Sequence, residues 1–138
     1  MVERRQDPVE AVRHFSRFFT GKIGVLKERL LDSDFTPPEA RVIFELGHHE
    51  GMTARDLAEL LGLDPGYLSR LLGGLKRKGL VSTRVSERDR RRQLLSLTED
   101  GGAALESLEA RSRTEIGAVL EPLGPEKRRE LVASLEAA

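Results

Sequence analysis

Residues 53–101 read TARDLAELLGLDPGYLSRLLGGLKRKGLVSTRVSERDRRRQLLSLTEDG, and this stretch decides the fold. Its first half holds two short leucine-rich segments with helical spacing, and the apolar positions of the first are Leu57, Leu60 and Leu61. Between the segments, Gly62 tolerates the positive φ that ends a helix, and Asp64 is suited to cap the next one. Two short helices joined by a tight turn predict a helix-turn-helix, although an ordinary helical hairpin has the same pattern.

The periodicity changes after Gly79, where apolar residues begin to alternate. Two runs place every second residue on one face: Val81, Thr83 and Val85 in the first run, and Gln93, Leu95 and Leu97 in the second. The segment between them, SERDRRR at 86–92, is too polar to pack and is expected to form the tip of a hairpin. A helix-turn-helix followed by a β-hairpin predicts a winged helix.

The charged residues are unevenly distributed along the chain. Lys plus Arg and Asp plus Glu both number 23, so the formal net charge is zero. Residues 64–92 nevertheless hold nine cationic residues against three acids, a local surplus of six positive charges. The nine are Arg70, Lys76, Arg77, Lys78, Arg84, Arg88, Arg90, Arg91 and Arg92. A neutral protein with one basic segment has a directional field suited to a phosphate backbone, and a solvated charged loop is the alternative.

Long helical patterns flank this region on both sides. We expect a mainly α fold, a winged helix-turn-helix made of helices plus a β-hairpin wing, with long N- and C-terminal dimerisation helices. One domain is predicted over residues 1–138, with a DNA-binding lobe at 36–98 and a helical dimerisation region at 8–31 and 99–138. A helix is expected to start at Thr36 and to turn Phe44 inward. The apolar residues predicted at the twofold interface are Val12, Phe15, Phe19, Ile23, Leu131 and Leu135.

The second helix of the predicted helix-turn-helix carries hydrogen-bond donors on the face opposite its leucines. Because the N-terminal end of a recognition helix meets base edges, we expect Arg70 to bond guanine bidentately, Ser69 to bond either base type and Tyr67 to contact a phosphate or a thymine methyl. The alternatives are that Tyr67 packs between helices and that Arg70 pairs with an acid. The mid-helix glycines Gly73 and Gly74 predict close approach of either a phosphate backbone or a neighbouring helix.

The polar wing tip predicts a second contact with DNA. An arginine is expected to enter the minor groove, because a narrow groove concentrates negative potential. Asp89 is expected to brace one guanidinium through a bidentate pair rather than to contact anionic DNA.

Other functions are disfavoured by residue types that the sequence lacks or scatters. It has no cysteine, which removes disulfides, thiolate metal sites and thiol-based sensing. His48 and His49 are adjacent on a helix end and point in different directions, so we expect no metal site and no cofactor. Three histidines and scattered acids form no catalytic grouping, which argues against an enzyme. Without a membrane span or a secretory signal, a cytoplasmic protein with no membrane partner is expected.

Residues 53–101 resemble the MarR family of regulators. The family's wing reads Asp-x-Arg and then Leu-Thr-x-x-Gly, which correspond here to Asp89-Arg90-Arg91 and to LTEDG at 97–101. The resemblance implies that Asp89 braces Arg91, that the helix at 65–78 reads the major groove and that Thr53 lies near a phosphate. It extends over nearly the whole chain, because the family also dimerises through long terminal helices. The predicted DNA-binding residues are Thr53, Gly66, Tyr67, Ser69, Arg70, Arg77, Arg84, Arg88, Asp89, Arg90 and Arg91.

A narrower similarity links four segments to the MarR-like portion of chains that continue into a GNAT acetyltransferase. The segments are VRHF at 12–15, IGVL at 23–26, EARV at 39–42 and GYLSR at 66–70. We expect no segment here to hold an acetyl-coenzyme A site, so a regulatory part of an acetyltransferase system is a remote alternative.

We therefore expect a sequence-specific transcriptional regulator, a ligand-responsive repressor that binds a pseudo-palindromic operator in double-stranded DNA as a homodimer. The resemblance implies a small aromatic or anionic effector in the crevice between the dimer helices and the DNA-binding lobe. We expect Arg13, His14, Arg17 and His48 to line that crevice. Two alternatives remain, a non-specific architectural DNA binder and a winged helix that serves protein interactions.

Overall fold

The computed structural model describes residues 7–30 and 33–138, apart from the side chains of residues 20 and 22–30. Helices and one antiparallel hairpin follow each other in the order α1 (Pro8–Leu30), α2 (Pro37–His48), α3 (Ala54–Leu61), α4 (Pro65–Arg77), β1 (Val81–Val85), β2 (Gln93–Leu97), α5 (Glu99–Leu120) and α6 (Pro125–Glu136). The predicted mainly helical architecture with a β-hairpin is confirmed. In the described part of the chain, no helix has both the length and the apolar character needed to cross a membrane.

The chain divides after Glu39 into two compact units. In the first unit, α1 spans 23 residues, and every described side chain on it is exposed. A reciprocal cap precedes α2, because the Thr36 backbone N–H donates to the Glu39 carboxylate and the Glu39 N–H donates to the Thr36 hydroxyl. The predicted helix end at Leu31 and the predicted interface side chain of Ile23 lie outside the described residues. The single-domain organisation stays a prediction.

The second unit has an apolar core drawn from α2, α3, α4, the hairpin and α5. Its buried members are Val42, Ile43, Leu46, Leu57, Ala58, Leu61, Leu68, Leu72, Leu75, Val81, Leu95 and Leu108. Gly62 ends α3 with φ 63°, a left-handed conformation that an L side chain adopts only with strain, and so allows the tight turn into α4. The predicted helix-turn-helix is therefore present, with the spacing read from the sequence.

One residue predicted to face inward is exposed. Phe44 has a relative exposure of 46%, and its ring stacks on His48 at a centroid distance of 4.2 Å. This prediction is wrong, because the elements packed against α2 cover only part of its apolar face. Leu60, an apolar position of α3, is likewise 49% exposed. It lies outside the arc that Leu57 and Leu61 bury, because residues three apart on a helix are offset by about 60°.

The hairpin is anchored at its base and exposed toward its tip. Val81 pairs with Leu97, and Thr83 with Leu95, in antiparallel register. The Leu95 N–H also donates to the Met52 carbonyl at 2.7 Å, so the segment before α3 adds a bridge to the sheet. Val81 and Leu95 are buried whereas Thr83 is exposed, so the alternating face packs only near the core.

Thr98 joins the end of α4 to the start of α5. Its hydroxyl donates to the Gly79 carbonyl at 2.6 Å and accepts the Gly101 N–H at 3.0 Å, and its backbone N–H donates to the Leu80 carbonyl at 3.0 Å. A Cβ on Gly101 would collide with that same Leu80 carbonyl oxygen. The segment LTEDG at 97–101 therefore holds the base of the wing against α5.

Candidate nucleic-acid interface

Helix α4 buries its leucines and exposes its polar face. Asp64 caps it by accepting the Tyr67 N–H at 3.0 Å, and Pro65 occupies the first turn, where its missing N–H is not needed. Leu68, Leu72 and Leu75 are buried. The predicted DNA-binding residues on α4 are all exposed: Gly66, Tyr67, Ser69, Arg70 and Arg77. One helix therefore presents five of the eleven predicted residues to solvent on the side away from the core.

Glycines lie beneath the two arginines of this exposed face. The Arg77 guanidinium nitrogens are 3.5 Å and 3.8 Å from the positions that a Cβ would take on Gly73 and Gly74. An Arg70 guanidinium nitrogen is 3.9 Å from the corresponding position on Gly66. Within the described residues, no other helix comes within 4 Å of a Cβ built on Gly73 or Gly74. Packing of these glycines against a neighbouring helix of the same chain is therefore not found.

The wing tip is a hydrogen-bonded turn built on Asp89. Its carbonyl accepts the Arg92 N–H at 3.0 Å, and its carboxylate Oδ1 accepts the Arg91 N–H at 3.0 Å. The Ser86 N–H donates to the Arg92 carbonyl at 2.9 Å and closes the loop. Arg90 and Arg91 are the two central residues of this turn and are exposed. Asp89 thus braces the wing through backbone bonds, which differs from the predicted bidentate pair with a guanidinium.

A different acid holds a wing guanidinium. Asp56 Oδ2 accepts the Thr53 N–H at 3.0 Å and lies 3.3 Å from an Nη of Arg92. The Asp56 N–H in turn donates to the Thr53 hydroxyl at 3.1 Å, which completes a capping box at the start of α3. Hydrogen bonds from Thr53 hold the pKa of the Asp56 carboxyl below its ordinary value of 3.8, and the charges of Arg92 and Arg55 lower it further. Asp56 therefore joins the first helix of the helix-turn-helix to the wing.

A cleft of about 790 Å³ separates the start of α3 from the wing. Its lining residues are Thr53, Ala54, Arg55, Asp56, Glu59, Arg91, Arg92 and Gln93. The cleft brings together Thr53 and Arg91, which were predicted as DNA contacts from sequence positions 38 residues apart. Arg84, Arg88 and Arg90 are exposed on the hairpin but do not line the cleft.

Sequence reasoning missed several members of this site. Arg55, Asp56, Arg92 and Gln93 line the cleft but were not predicted as site residues. Arg92 belongs to the basic run at the wing tip, and this run could have identified it as a site residue. The capping pattern at Thr53 indicates only that Asp56 caps its own helix. Nothing local indicates that these two side chains meet, because 36 residues separate them.

The residues predicted for dimerisation carry exposed apolar side chains. Val12, Phe15 and Phe19 are exposed on α1, where the rings of Phe15 and Phe19 stack 5.6 Å apart. On α6, Leu135 is 60% exposed and Leu131 is partly buried. Each of these helices therefore exposes apolar side chains, and the dimer interface stays a prediction.

The residues predicted to line an effector pocket lie on α1 and α2. Arg13 pairs with Glu10 at 2.9 Å, and His14 and Arg17 are exposed. His48 Nε2 lies 3.3 Å from a Glu109 carboxylate oxygen, so it connects α2 to α5. The effector pocket itself stays a prediction.

Comparison with known sequences finds transcriptional regulators. A model described as "MarR family" matches residues 33–92. The "Organic hydroperoxide resistance transcriptional regulator" of Bacillus subtilis is 40% identical over 73 residues, which cover 52% of this chain and half of that relative. The "HTH-type transcriptional regulator PetP" of Rhodobacter capsulatus is 31% identical over 125 residues, which cover 90% of this chain and 73% of the relative.

Solved structures share the fold over nearly the whole chain. Wild-type MarR of Escherichia coli in its apo form is 25% identical with a TM-score of 0.76, covering 91% of this chain and 93% of that one. Streptococcus pneumoniae FabT in complex with DNA is 20% identical with a TM-score of 0.78, covering 95% of this chain and 94% of that one. These likenesses show that the chain has the fold of these two proteins.

Proposed function

Since this chain belongs to the MarR family of winged helix-turn-helix transcriptional regulators, we propose that it is a sequence-specific, ligand-responsive repressor that binds a pseudo-palindromic operator as a homodimer. The observation that carries this proposal is the joint presentation of an exposed polar face on α4 and an arginine-tipped wing, which the Arg92–Asp56 ion pair ties to the start of α3. The first element is suited to the major groove and the second to the minor groove.

Helix α4 is proposed to read bases with the N-terminal part of its exposed face. In this proposal Arg70 bonds guanine O6 and N7, Ser69 bonds either base type, and Tyr67 contacts a phosphate or a thymine methyl. In support, the described residues include no carboxylate in salt-bridge contact with Arg70 or Arg77. Gly73 and Gly74 carry no side chains, and among the described residues only the Arg77 guanidinium lies near their Cβ positions, which supports close approach of the phosphate backbone.

The wing is proposed to insert an arginine into the adjacent minor groove. We propose Arg91 or its neighbour Arg90, and the support is that the Asp89 turn fixes the backbone of both residues at the tip. Arg84 and Arg88 would contact phosphates, and Thr53 would lie near a phosphate on the opposite wall of the cleft. Asp89 would act on the wing rather than on DNA.

Two copies are proposed to pair through their terminal helices. The support is the exposed apolar surface of α1 and α6, which includes Val12, Phe15, Phe19 and Leu135. Pairing would repeat the α4 surface about 34 Å away, one turn of B-DNA, and so select two half-sites related by twofold symmetry.

The proposed effector is a small aromatic or anionic molecule that binds near Arg13, His14, Arg17 and His48. Such a ligand shifts DNA affinity only if it binds the DNA-competent and DNA-incompetent geometries unequally. Because the sequence contains no cysteine, we propose that the signal is not read by thiol oxidation. We also propose that the protein acts in the cytoplasm.

Selection of bound sequences from a random duplex library tests this function. The proposal expects enrichment of two symmetric half-sites with centres about 10 base pairs apart, and affinity that falls steeply with salt. Equal affinity for all duplexes at every salt concentration would support the architectural alternative. Absence of any salt-sensitive DNA binding would support the protein-interaction alternative. Either result would contradict the proposed repressor.

A further inference from the structure

We propose that the Arg92–Asp56 ion pair is a latch that fixes the orientation of the wing relative to the helix-turn-helix, which makes Asp56 a positioning residue for DNA binding. This inference rests on the proposed function, because the wing must grip DNA for its orientation to matter. It gives a role in DNA binding to an acidic residue whose own charge repels phosphate.

The ion pair is the outer of two attachments between the wing and the segment at 52–56. The inner attachment is the bond from the Leu95 N–H to the Met52 carbonyl, near the core. Arg91 precedes Leu95 by four residues and lies nearer the tip of the hairpin. At about 3.4 Å per residue, the tip is therefore up to ~14 Å from the inner attachment. A hinge held only at its base would let the tip swing by several ångströms. A second attachment beside the tip removes that freedom.

Arg92 is well placed to make this second attachment. Its backbone N–H and carbonyl form the bonds that close the wing turn, to Asp89 and Ser86. Its side chain reaches Asp56, whose position is fixed by the reciprocal cap with Thr53. The latch therefore connects the wing turn directly to the start of α3.

The sign of the effect separates positioning from direct electrostatics. Removal of an acid from a DNA-facing surface normally strengthens binding, because one repulsive charge disappears. If Asp56 positions the wing, its neutralisation must instead weaken binding. Asp56→Asn suits this test, because its amide oxygen can still accept the Thr53 N–H while the charge that holds Arg92 is lost.

Glu59 offers a matched control on the same helix and in the same cleft. Its carboxylate pairs with Arg55 of α3 at 3.5 Å, whereas the wing guanidinium of Arg92 pairs with Asp56. Glu59→Gln therefore removes an equal charge from the same cleft and leaves the wing attachment intact.

The test compares full-length wild-type protein, Asp56→Asn and Glu59→Gln on two forms of the selected operator duplex, one with and one without the outer base pairs that the wing would contact. We expect Asp56→Asn to bind the longer duplex about threefold more weakly than wild type, the size of an exposed ion pair, and to match wild type on the shorter duplex. Glu59→Gln should bind both as well as wild type or better. Equal or tighter binding of the longer duplex by Asp56→Asn would overturn the latch, and so would an equal loss on both duplexes, which indicates a folding defect.

A second measurement does not depend on DNA. Amide hydrogen exchange in the free protein should be faster at Arg91 and Arg92 in Asp56→Asn than in wild type or Glu59→Gln, because the wing turn opens more often without the latch. Unchanged exchange at these amides overturns the latch even if no operator is found. Failure to select any duplex with wild-type protein overturns the proposed function alone.

Discussion

The part of the second unit at residues 40–98, called the lobe below, buries many of its apolar side chains, whereas the terminal helices leave most of theirs exposed. Of the buried apolar residues in the described chain, all but Leu108 lie between Val42 and Leu95. Helix α6 buries no residue, and α1 exposes every side chain described on it. The lobe therefore carries its own core, whereas the terminal helices carry exposed apolar groups that we propose are buried by a second copy. The first region should respond to mutation through folding stability and the second through association.

The largest expected effect is on the core of the lobe. Leu75→Ala removes a side chain with 0% exposure and should lower the free energy of unfolding by about 3 kcal/mol at any protein concentration. Leu135→Ala makes the same chemical change at 60% exposure and should cost less than ~1 kcal/mol, with a cost that shrinks on dilution. Thermal or urea unfolding at several protein concentrations measures both. If both variants lost a similar free energy of unfolding at every protein concentration, the proposed difference between the two regions would be wrong.

The next effect concerns association through α1. Val12→Glu places a charge on an apolar residue that is 64% exposed, and should weaken dimerisation by about 100-fold if this surface is buried between two copies. Val85→Glu is the matched control, because Val85 is also an exposed valine but lies on the wing. Analytical ultracentrifugation over a range of concentrations compares them. A Val12→Glu protein that remains as dimeric as Val85→Glu would show that α1 does not form the interface.

A smaller effect is expected where the lobe meets α5. Thr98→Val removes the cap of α5 and the bond to the Gly79 carbonyl, and should lower the free energy of unfolding by about 1.5 kcal/mol. Thr114→Val removes a hydroxyl that bonds only the Ala110 carbonyl of its own helix, so its cost should be below ~0.5 kcal/mol. Urea unfolding of both variants provides the measurement. Equal costs would mean that the Thr98 junction adds nothing beyond an ordinary exposed hydroxyl.

The smallest effect is on the titration of Asp56. Because its pKa is lowered in the folded protein, ionised Asp56 stabilises the fold above the unfolded pKa, and this contribution is lost as the pH falls through the folded pKa. Arg92→Gln should raise the Asp56 pKa only partly, since hydrogen bonding from Thr53 is the larger cause. Carboxyl-carbon NMR against pH measures it, with Arg90→Gln as the control. An Asp56 pKa at or above 3.8 in the wild-type protein would contradict the proposed stabilisation of its charged form.

Much of the lobe could be predicted because its signals are local. Thr53, Asp64 and Thr98 each cap the helix that follows, and Gly62 and Gly79 have the positive φ that ends a helix. These choices depend on a few neighbouring residues, so the sequence alone indicates them.

The remaining features depend on which elements pack together. The Met52–Leu95 bridge and the Arg92–Asp56 pair join residues far apart in the chain, and no local pattern marks them. The inward prediction for Phe44 is wrong for the same reason, because its neighbours in space decide which part of an apolar stripe is covered. Asp89 shows the limit of motif reasoning, since the motif predicts a brace at this position but its bonds go to backbone atoms.

The proposed DNA binding requires α4 and the wing to act as one surface. Its most direct test is the affinity of Arg70→Ala and Arg91→Ala for the selected duplex, measured by fluorescence anisotropy beside Arg111→Ala, an exposed arginine on α5. We expect each of the first two to weaken binding by at least about tenfold and Arg111→Ala to leave it unchanged. If neither Arg70→Ala nor Arg91→Ala weakens binding, or if Arg111→Ala weakens it equally, the proposed surface is wrong.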